Sequence, residues 1–502
     1  MAYHLLTGVT GLVGRYLLRE LLAADVPLAV LVRPSRLQSA EDRLEAVLAP
    51  WEAEQGRLLP RPVILQGDVN GPMLGLSTPH VQWVQSHVDT VVHSAAAMVF
   101  RPDSRGEPHR TNVDGMRNML DFCQQSGVRF FHHVSTAYIC GLRTGRVRED
   151  ELDVGQTLGN VYEESKLLAE KMLREFSGFE QTTIFRPASV IGDSRTGFTS
   201  NFHGFYLPLQ LAHSFAGTIP PAEMNERFFQ RLGLSGNEGK NFVPVDWLTS
   251  AMAHVITHPE LHGETYHLAA PQPVSVKLFQ SIVQEAMLRY GKKPHSTPLR
   301  SDELDVYEKL FHDRLLIYQS HWRDDPIFDL TNSQRALPQL PCPTMDFDLL
   351  MRVARWPVEN NFPTPKYVKV DKPFDQHRFF DRWLTNSERS MQVSTGDHDG
   401  ASRVTLQING CGGGKWQLLL QGGRLVGVEM GADGKSQTHC YLNSETFARL
   451  ADGSLTVEEA VRRGRVLVEG NTSSPSQLAA ILAQLMDSAA ESRSLARFAS
   501  PT

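Results

Sequence analysis

The first 33 residues constrain this chain more than any other stretch. An apolar run, His4-Leu5-Leu6-Thr7, enters the turn Gly8-Val9-Thr10-Gly11-Leu12-Val13-Gly14. Leu17, Leu18, Leu21 and Leu22 then mark one face of a helix from Arg15 to Ala23, and Leu28-Ala29-Val30-Leu31-Val32-Arg33 is a second apolar run ending on an arginine. Strand, turn, helix and strand in this order open a nucleotide-binding βαβ unit. Each glycine has its own task. Gly8 permits the tight turn, Gly11 lets the backbone approach a pyrophosphate, and Gly14 lets the helix pack close to the sheet. Thr7, Thr10, Leu12 and Val13 share that cradle.

At 502 residues and 41% hydrophobic, the chain can bury a full core and is expected to hold more than one domain. Its net charge of −6 and pI near 6.3 argue against a general nucleic-acid binder. No apolar run approaches the length of a membrane span, and the first strand begins without a signal-like prelude, so a cytoplasmic protein without stable membrane insertion is expected. Cys123, Cys140, Cys342, Cys411 and Cys440 show no paired metal-ligand spacing, which predicts neither a zinc site nor a disulfide framework.

Arg33 stands where a carboxylate would accept the ribose hydroxyls of NAD; an arginine suits the 2′-phosphate of NADP, with Arg36 and Arg43 as helpers. Ser39 to Leu48 reads as a helix inserted before the next strand. Pro62 to Val69 is a third strand, with Asp68 at its end placed to meet an adenine amino group and Val69 beside it. Asp89 to Ala96 is a fourth, ending in the small residues Ser94, Ala95 and Ala96, over which a dinucleotide could cross the sheet edge. Asn112 opens a helix that buries Met116, Met119, Leu120 and Cys123. Phe130 to Thr136 is a fifth strand. The alternation predicts an α/β fold of Rossmann type, a doubly wound parallel sheet covered on both faces.

Tyr162 and Lys166 stand four residues apart, which puts both on one face of a helix. A free tyrosine, with a pKa near 10, shuttles protons poorly at neutral pH. A lysine ammonium and an oxidised nicotinamide beside it would lower that value, while Thr136 hydrogen-bonds the substrate oxygen.

Residues 1 to about 270 resemble an extended short-chain dehydrogenase/reductase. Leu31-Val32-Arg33 with Arg43-Leu44, Gly67-Asp68-Val69 with Leu74 to Ser77, His133 to Tyr138, Arg186 to Ser194 and Asn241 to Asp246 resemble its thioester reductase and fatty acyl reductase branch. The resemblance implies NADP(H) as cofactor and Thr136, Tyr162 and Lys166 as the catalytic trio. It also implies that Asn112, Pro187, Ser189 and Val190 border the cofactor, and that residues after Gly192 build a smaller substrate lobe. Ala137, Phe198, Phe202, Phe205 and Tyr206 are the candidate lobe residues. Segments from Asp302 to Leu350 read as helical, and Pro357 to Tyr367 as an extended connector.

The tail reads as a separate α+β domain. Val404 to Ile408, Gly414 to Leu420, Arg424 to Glu429, Gln437 to Leu442 and Val466 to Gly470 are its strands, with Gly422-Gly423 as a hairpin turn. Helices start at Ser444, Thr456 and Ser476. Trp416 to Leu420, Thr446 to Leu450, Gly453 to Thr456 and Glu469-Gly470 resemble a sterol carrier protein 2 domain, although Asn471 replaces the aspartate usual after that strand. Such domains hold a lipid or acyl chain, or serve to dimerise. The expected domains are 1–360 for the reductase with its lobe, 361–389 for a connector, 390–490 for the carrier-like domain and 491–502 for a tail.

These features predict NADPH-dependent reduction of an acyl thioester, carried on coenzyme A or a separate acyl carrier protein, to an aldehyde, with further reduction to the alcohol left open. Two alternatives share the residues. One is an NADP-dependent reductase or dehydrogenase of a keto or hydroxy sterol, lipid or polyketide. The other is a lipid-binding or scaffolding protein without catalysis, and the intact trio weighs against it.

Overall fold

The computed structural model describes residues 2–35, 37–216, 218–219, 229, 231–292, 301–363, 379–380, 402–409, 413–422, 424–431, 436, 438–470 and 480–486. Two compact units emerge: Met1–Arg33 with Pro62–Lys366, and Pro34–Arg61 with Tyr367–Thr502.

The first unit is built on seven strands: β1 (Tyr3–Thr7), β2 (Leu28–Val32), β3 (Val63–Gln66), β4 (Val88–His93), β5 (Phe130–Val134), β6 (Gln181–Pro187) and β7 (Thr265–Leu268). Their order across the sheet is β7-β6-β5-β4-β1-β2-β3, and every neighbouring pair is parallel. All five residues of β2 are buried, as a sheet covered on both faces requires. The chain winds one way from β1 to β3 and the other way from β4 to β7. A crevice therefore opens at the carboxyl ends of β1 and β4, the place where such sheets bind ligands. Thr7 pairs with His93 across β1–β4, and His93 with His133 across β4–β5. β4 and β5 are shorter than expected, so Ser94–Ala96 and Ser135–Thr136 lie in loops just beyond the strand ends.

Helix α1 (Leu12–Ala23) buries Leu17, Leu18, Leu21 and Leu22 as its spacing predicts. Between β2 and β3 lies helix α2 (Ala40–Gln55), longer than the expected Ser39–Leu48, with Ser39 and Asp42 forming a reciprocal capping box and Gly56 in the left-handed region at its end. Asn112 sits in a wide turn, Arg110–Asp114, and the regular helix begins at Gly115. Helix Val161–Glu175 follows β5, its first turn capped by Asn160, whose side chain accepts from the Glu163 N–H.

The smaller lobe is assembled from helices Tyr206–Phe215, Val276–Tyr290, Ser301–Leu315 and Phe347–Glu359 and from two-residue and three-residue ladders. One ladder pairs Ile327–Phe328 with Arg146–Val147. Helix Phe347–Glu359 corrects the expected connector, because it runs through Pro357. A proline there forfeits one N–H of the last turn, and burial of Val353, Ala354, Pro357 and Val358 keeps the segment helical. Residues 364–367 of that expected connector lie outside the described residues.

The second unit has a five-stranded sheet of β8 (Ser402–Asn409), β9 (Gly414–Gln421), β10 (Arg424–Met430), β11 (Thr438–Asn443) and β12 (Val466–Gly470), in the order β10-β9-β8-β11-β12. The β8–β11 pair is parallel and the others antiparallel. Leu406, Leu418, Leu442, Phe447, Leu482 and Leu485 belong to one apolar cluster, which also takes in Leu58. The Leu58 N–H donates to the Gly464 carbonyl at 2.6 Å. Arg61 is buried in this unit, paired with Glu45 at 3.0 Å and with Glu52. The helix begins at Ser444, and its cap is Asn443 rather than the expected Ser444, with the Asn443 side chain accepting from the Thr446 N–H; Thr456 accepts from the Glu459 N–H as its spacing predicts. Residues 480–486 are helical; Gly423, Asn471 and residues 476–479 lie outside the described residues. This is a smaller α+β unit.

Candidate active site

The glycine turn is shaped by close backbone approach. Gly8 has φ +78, and a Cβ there would stand 2.8 Å from the Ala95 nitrogen. A Cβ on Gly14 would stand 2.1 Å from the Gly8 carbonyl oxygen. A Cβ at Gly11 would meet only that same oxygen, at 3.3 Å, and would otherwise project into open space. Gly11 is also the N-cap of α1 and supplies no side-chain cap, so the first N–H groups of the helix stay available to an anion. The residues present fit a dinucleotide pyrophosphate.

One cavity of about 410 Å³ joins this turn to the strand ends and the lobe. Gly8, Gly11, Leu12, Val13 and Gly14 line one end, with Ser94 and Ala96 beside them; Thr136, Tyr162, Lys166, Pro187, Ser189 and Val190 line its middle. Thr7 is buried beneath, and its Oγ1 accepts from the N–H groups of Ser94 and Ala95, both at 3.1 Å. Thr10, in the turn, is half-buried. The Asn112 amide accepts from the Ala97 N–H at 2.8 Å and donates to Ser165 Oγ at 2.9 Å, which ties the loop after β4 to the helix that carries Tyr162. Val69 is buried and its carbonyl accepts from Asn118 at 2.9 Å.

Arg33, at the end of β2, extends its guanidinium to Asp68, with Nη1 to Oδ2 at 3.3 Å; the arginine side chain is 60% exposed. Asp68 also accepts from the Asn70 N–H at 3.0 Å. Arg43 is carried by α2, in the second unit. Arg36 lies outside the described residues.

Tyr162 is half-buried in the cavity wall, and burial, with Glu163 next to it, pushes its phenol up to about 12. The expected lowering by Lys166 is therefore not a property of the protein alone. Lys166 is 2% exposed. Its Nζ donates to the Val134 carbonyl at 2.8 Å and lies 3.4 Å from His133 Nε2. Burial lowers its ammonium to about 8, opposed by the negative charge of Glu170 one turn along. Thr136 Oγ1 accepts from the Tyr138 N–H at 3.3 Å and reaches the Pro187 carbonyl at 3.5 Å. Burial raises the Glu163 carboxyl to about 7, against hydrogen bonds from the Gly159 N–H and the Asn160 amide.

Of the five candidate lobe residues, Phe205 reaches this cavity. Ala137 is buried in a small cluster with Cys140, Val147 and Phe328. Phe198 packs edge-on against Trp356, and Phe202 against Tyr206 and Phe362. The Tyr206 hydroxyl accepts from the Gly192 N–H at 2.6 Å, so it braces the turn that leads into the lobe. The apolar wall is made by other residues: Phe100, Tyr138, His203, Phe242, Phe279 and Tyr318 among them. Phe100 is a large aromatic in a loop of small residues, a signal available in the sequence. Tyr318 stands among the aromatics of the stretch from Asp302 to Leu350 and His321 has no such mark; both arrive by tertiary contact. A polar clamp closes this side: Asp325 accepts from the Tyr138 hydroxyl at 2.9 Å and pairs with Lys240 at 2.6 Å.

Among known proteins, the NAD-binding family model described as Male sterility protein matches residues 6–252. The nonribosomal peptide synthetase asaC of Aspergillus flavus is 28% identical over 285 residues, 53% of this chain and 26% of that protein. The aldehyde reductase lnaA of the same organism is 25% identical over 386 residues, 70% of this chain and 35% of its own length. The chain thus spans about a third or less of these relatives. The solved terminal R domain of the myxalamid PKS-NRPS biosynthetic pathway is 27% identical, with a TM-score of 0.57, and the match covers 72% of this chain and 92% of that one. No helix among the described residues is long and apolar enough to cross a membrane. The first unit accordingly has a Rossmann fold, similar to the NAD-binding family model over residues 6–252 and to the solved R domain of a PKS-NRPS pathway.

Proposed function

We propose that the first unit reduces an acyl thioester, presented on coenzyme A or a separate carrier protein, to an aldehyde and a free thiol. The observation that carries this reading is the single cavity bordered by the glycine turn, by Thr136, Tyr162 and Lys166, and by an aromatic wall. NADPH, when bound, supplies the hydride equivalent that the carbonyl carbon takes up. The Gly8–Gly14 turn and the first N–H groups of α1 would hold its pyrophosphate, Arg33 its 2′-phosphate, and Lys166 its nicotinamide ribose. The hydroxyls of Thr136 and Tyr162 donate to the carbonyl oxygen as negative charge develops there. A phenol held near 12 keeps its proton throughout the neutral range, which suits a donor in the reductive direction. A second reduction at the same site takes the aldehyde to the alcohol, with Tyr162 giving the proton.

The test follows free thiol and NADPH together across a panel of acyl-CoAs, ketones and sterols. Thiol released in step with NADPH consumption supports the reading. Turnover confined to ketones or secondary alcohols replaces it with a keto-reductase.

For the second unit, we infer a sterol-carrier-type domain that holds the apolar chain of the substrate. Its support is the five-stranded sheet with one parallel pair and the apolar cluster that takes in Leu482 and Leu485. Saturable binding of a fluorescent fatty acid, lost on Leu482→Asp in a protein that still folds, is the expected result; no saturable binding sinks the inference.

A further inference from the structure

We propose that His133 is a positioning residue for Lys166, and that with His93 and Thr7 it forms a buried polar line from the catalytic helix to the base of the glycine turn. The line rests on the proposed role of Lys166 for its catalytic consequence, and on geometry for its existence. Thr7, His93 and His133 pair in register on three adjacent strands, at the carboxyl end of the sheet. The two imidazole rings stack with centroids 5.7 Å apart and planes 16° apart. Lys166 Nζ lies 3.4 Å from His133 Nε2, and Thr7 Oγ1 lies 3.0 Å from His93 Nδ1. Both histidines are almost fully buried, at 1% and 2% exposure.

Hydrogen-bond accounting fixes the two tautomers. Thr7 Oγ1 already accepts from two backbone N–H groups, which occupies both lone pairs. Its own hydrogen is therefore donated to His93 Nδ1, and His93 carries its proton on Nε2. Lys166 has only donors, so His133 Nε2 must be the acceptor and its proton sits on Nδ1. His133 Nδ1 has no hydrogen-bond partner among the described residues. Burial and the nearby ammonium keep both rings neutral, His93 at about 3 and His133 well below its usual value. A neutral ring is the form that can accept. The arrangement gives Lys166 two acceptors, the Val134 carbonyl and His133, both from β5 or its end. The charged group that acts on it is Glu170 on its own helix, whose carboxylate pairs in turn with Arg186 on β6.

An acceptor bonded to the ammonium favours the charged form, so its removal should lower the lysine pKa. The measurement is NMR titration of Lys166 in the full-length protein with labelled lysine side chains, the signal assigned by its loss in Lys166→Met. His133→Phe, which keeps a ring but no acceptor, should lower the titration midpoint by about one pH unit, a tenfold change in the equilibrium. His133→Gln should return it toward the wild-type value. A midpoint unmoved in folded His133→Phe overturns the proposal. Should that variant fail to fold, nitrogen NMR of the wild-type histidines decides: His133 protonated on Nδ1 supports the line, and protonated on Nε2 overturns it. The kinetic arm uses dodecanoyl-CoA and NADPH, where His133→Phe should lower kcat more than it raises the KM for NADPH. If Lys166→Met leaves turnover intact, the catalytic reading fails while the titration result still stands on its own.

Discussion

The ring of Phe100 lies 5.6 Å, centroid to centroid, from the ring of Tyr162. The same phenylalanine packs edge-on against Tyr318 at 5.0 Å and lies 5.8 Å from His203, whose Nδ1 meets the Tyr318 hydroxyl at 2.5 Å. One side chain from the loop after β4 thus joins Tyr162 to the lobe. Phe100→Ala should raise the KM for the acyl substrate by about tenfold and leave that for NADPH nearly unchanged, as befits the loss of apolar contact. Steady-state kinetics with each substrate varied in turn checks this.

Removing the phenol tests proton donation directly. Tyr162→Phe should bind NADPH as the wild type does, read by nucleotide fluorescence, while turnover falls roughly 100- to 10,000-fold. Unchanged turnover would assign the proton to another group.

The proposed reading gives the choice of cofactor to Arg33. Its guanidinium is largely exposed and drawn to Asp68, a position from which it can turn to a phosphate. Arg33→Ala should weaken NADPH binding by about 1.5–3 kcal/mol, roughly 10- to 150-fold, with little effect on NADH. Calorimetry with both nucleotides gives the comparison, and equal losses for the two would remove the arginine from this role.

Activity should fall as pH rises through the region near 8. Lys166 is charged below that value and neutral above it, because burial has lowered its ammonium from the usual range. Tyr162, held at about 12, keeps its proton across the same interval and contributes no limb there. Lys166→Arg, which stays charged to far higher pH, should flatten the profile between 7 and 9 in whatever activity it retains. A limb that persists at the same pH in this variant belongs to a different group.

Deeper in the sheet, Glu170 and Arg186 form a buried pair at 2.6 Å, each almost fully enclosed. Arg174 adds a second cation at 3.1 Å, and the Arg186 Nη1 donates to the Glu149 carbonyl at 3.2 Å. Glu170→Gln would leave a buried guanidinium without its counter-charge. About 3–5 kcal/mol of stability should be lost, measured by denaturant unfolding followed at the first unit's own signal.

The shape of the glycine turn and the shared helix of Tyr162 and Lys166 were legible from residue types because their determinants are local. Gly8, Gly11 and Gly14 act through backbone geometry within a single turn, and Tyr162 and Lys166 through the pitch of one helix. The aromatic wall was not legible in this way. Phe198 and Phe202 look like cleft residues by composition, yet both pack against other aromatics of the lobe, while Tyr318 comes from a segment more than a hundred residues away. Pro357 misled for a related reason. Its ring ends most helices, but the burial of its neighbours outweighs one missing hydrogen bond. The partners of α2 were equally hidden: Leu44, Val47 and Leu48 mark an apolar face, which is buried, without naming what it packs against.

The hydrogen bond from Leu58 to Gly464 has a consequence for synthesis. Leu58 leaves the ribosome roughly 400 residues before its acceptor, a delay of about 20–80 s at ordinary elongation rates. Through that interval the apolar cluster that includes Leu58 is unfinished, since most of its members belong to the last hundred residues. The stretch between β2 and β3 must therefore wait, exposed or chaperoned, for the chain's far end.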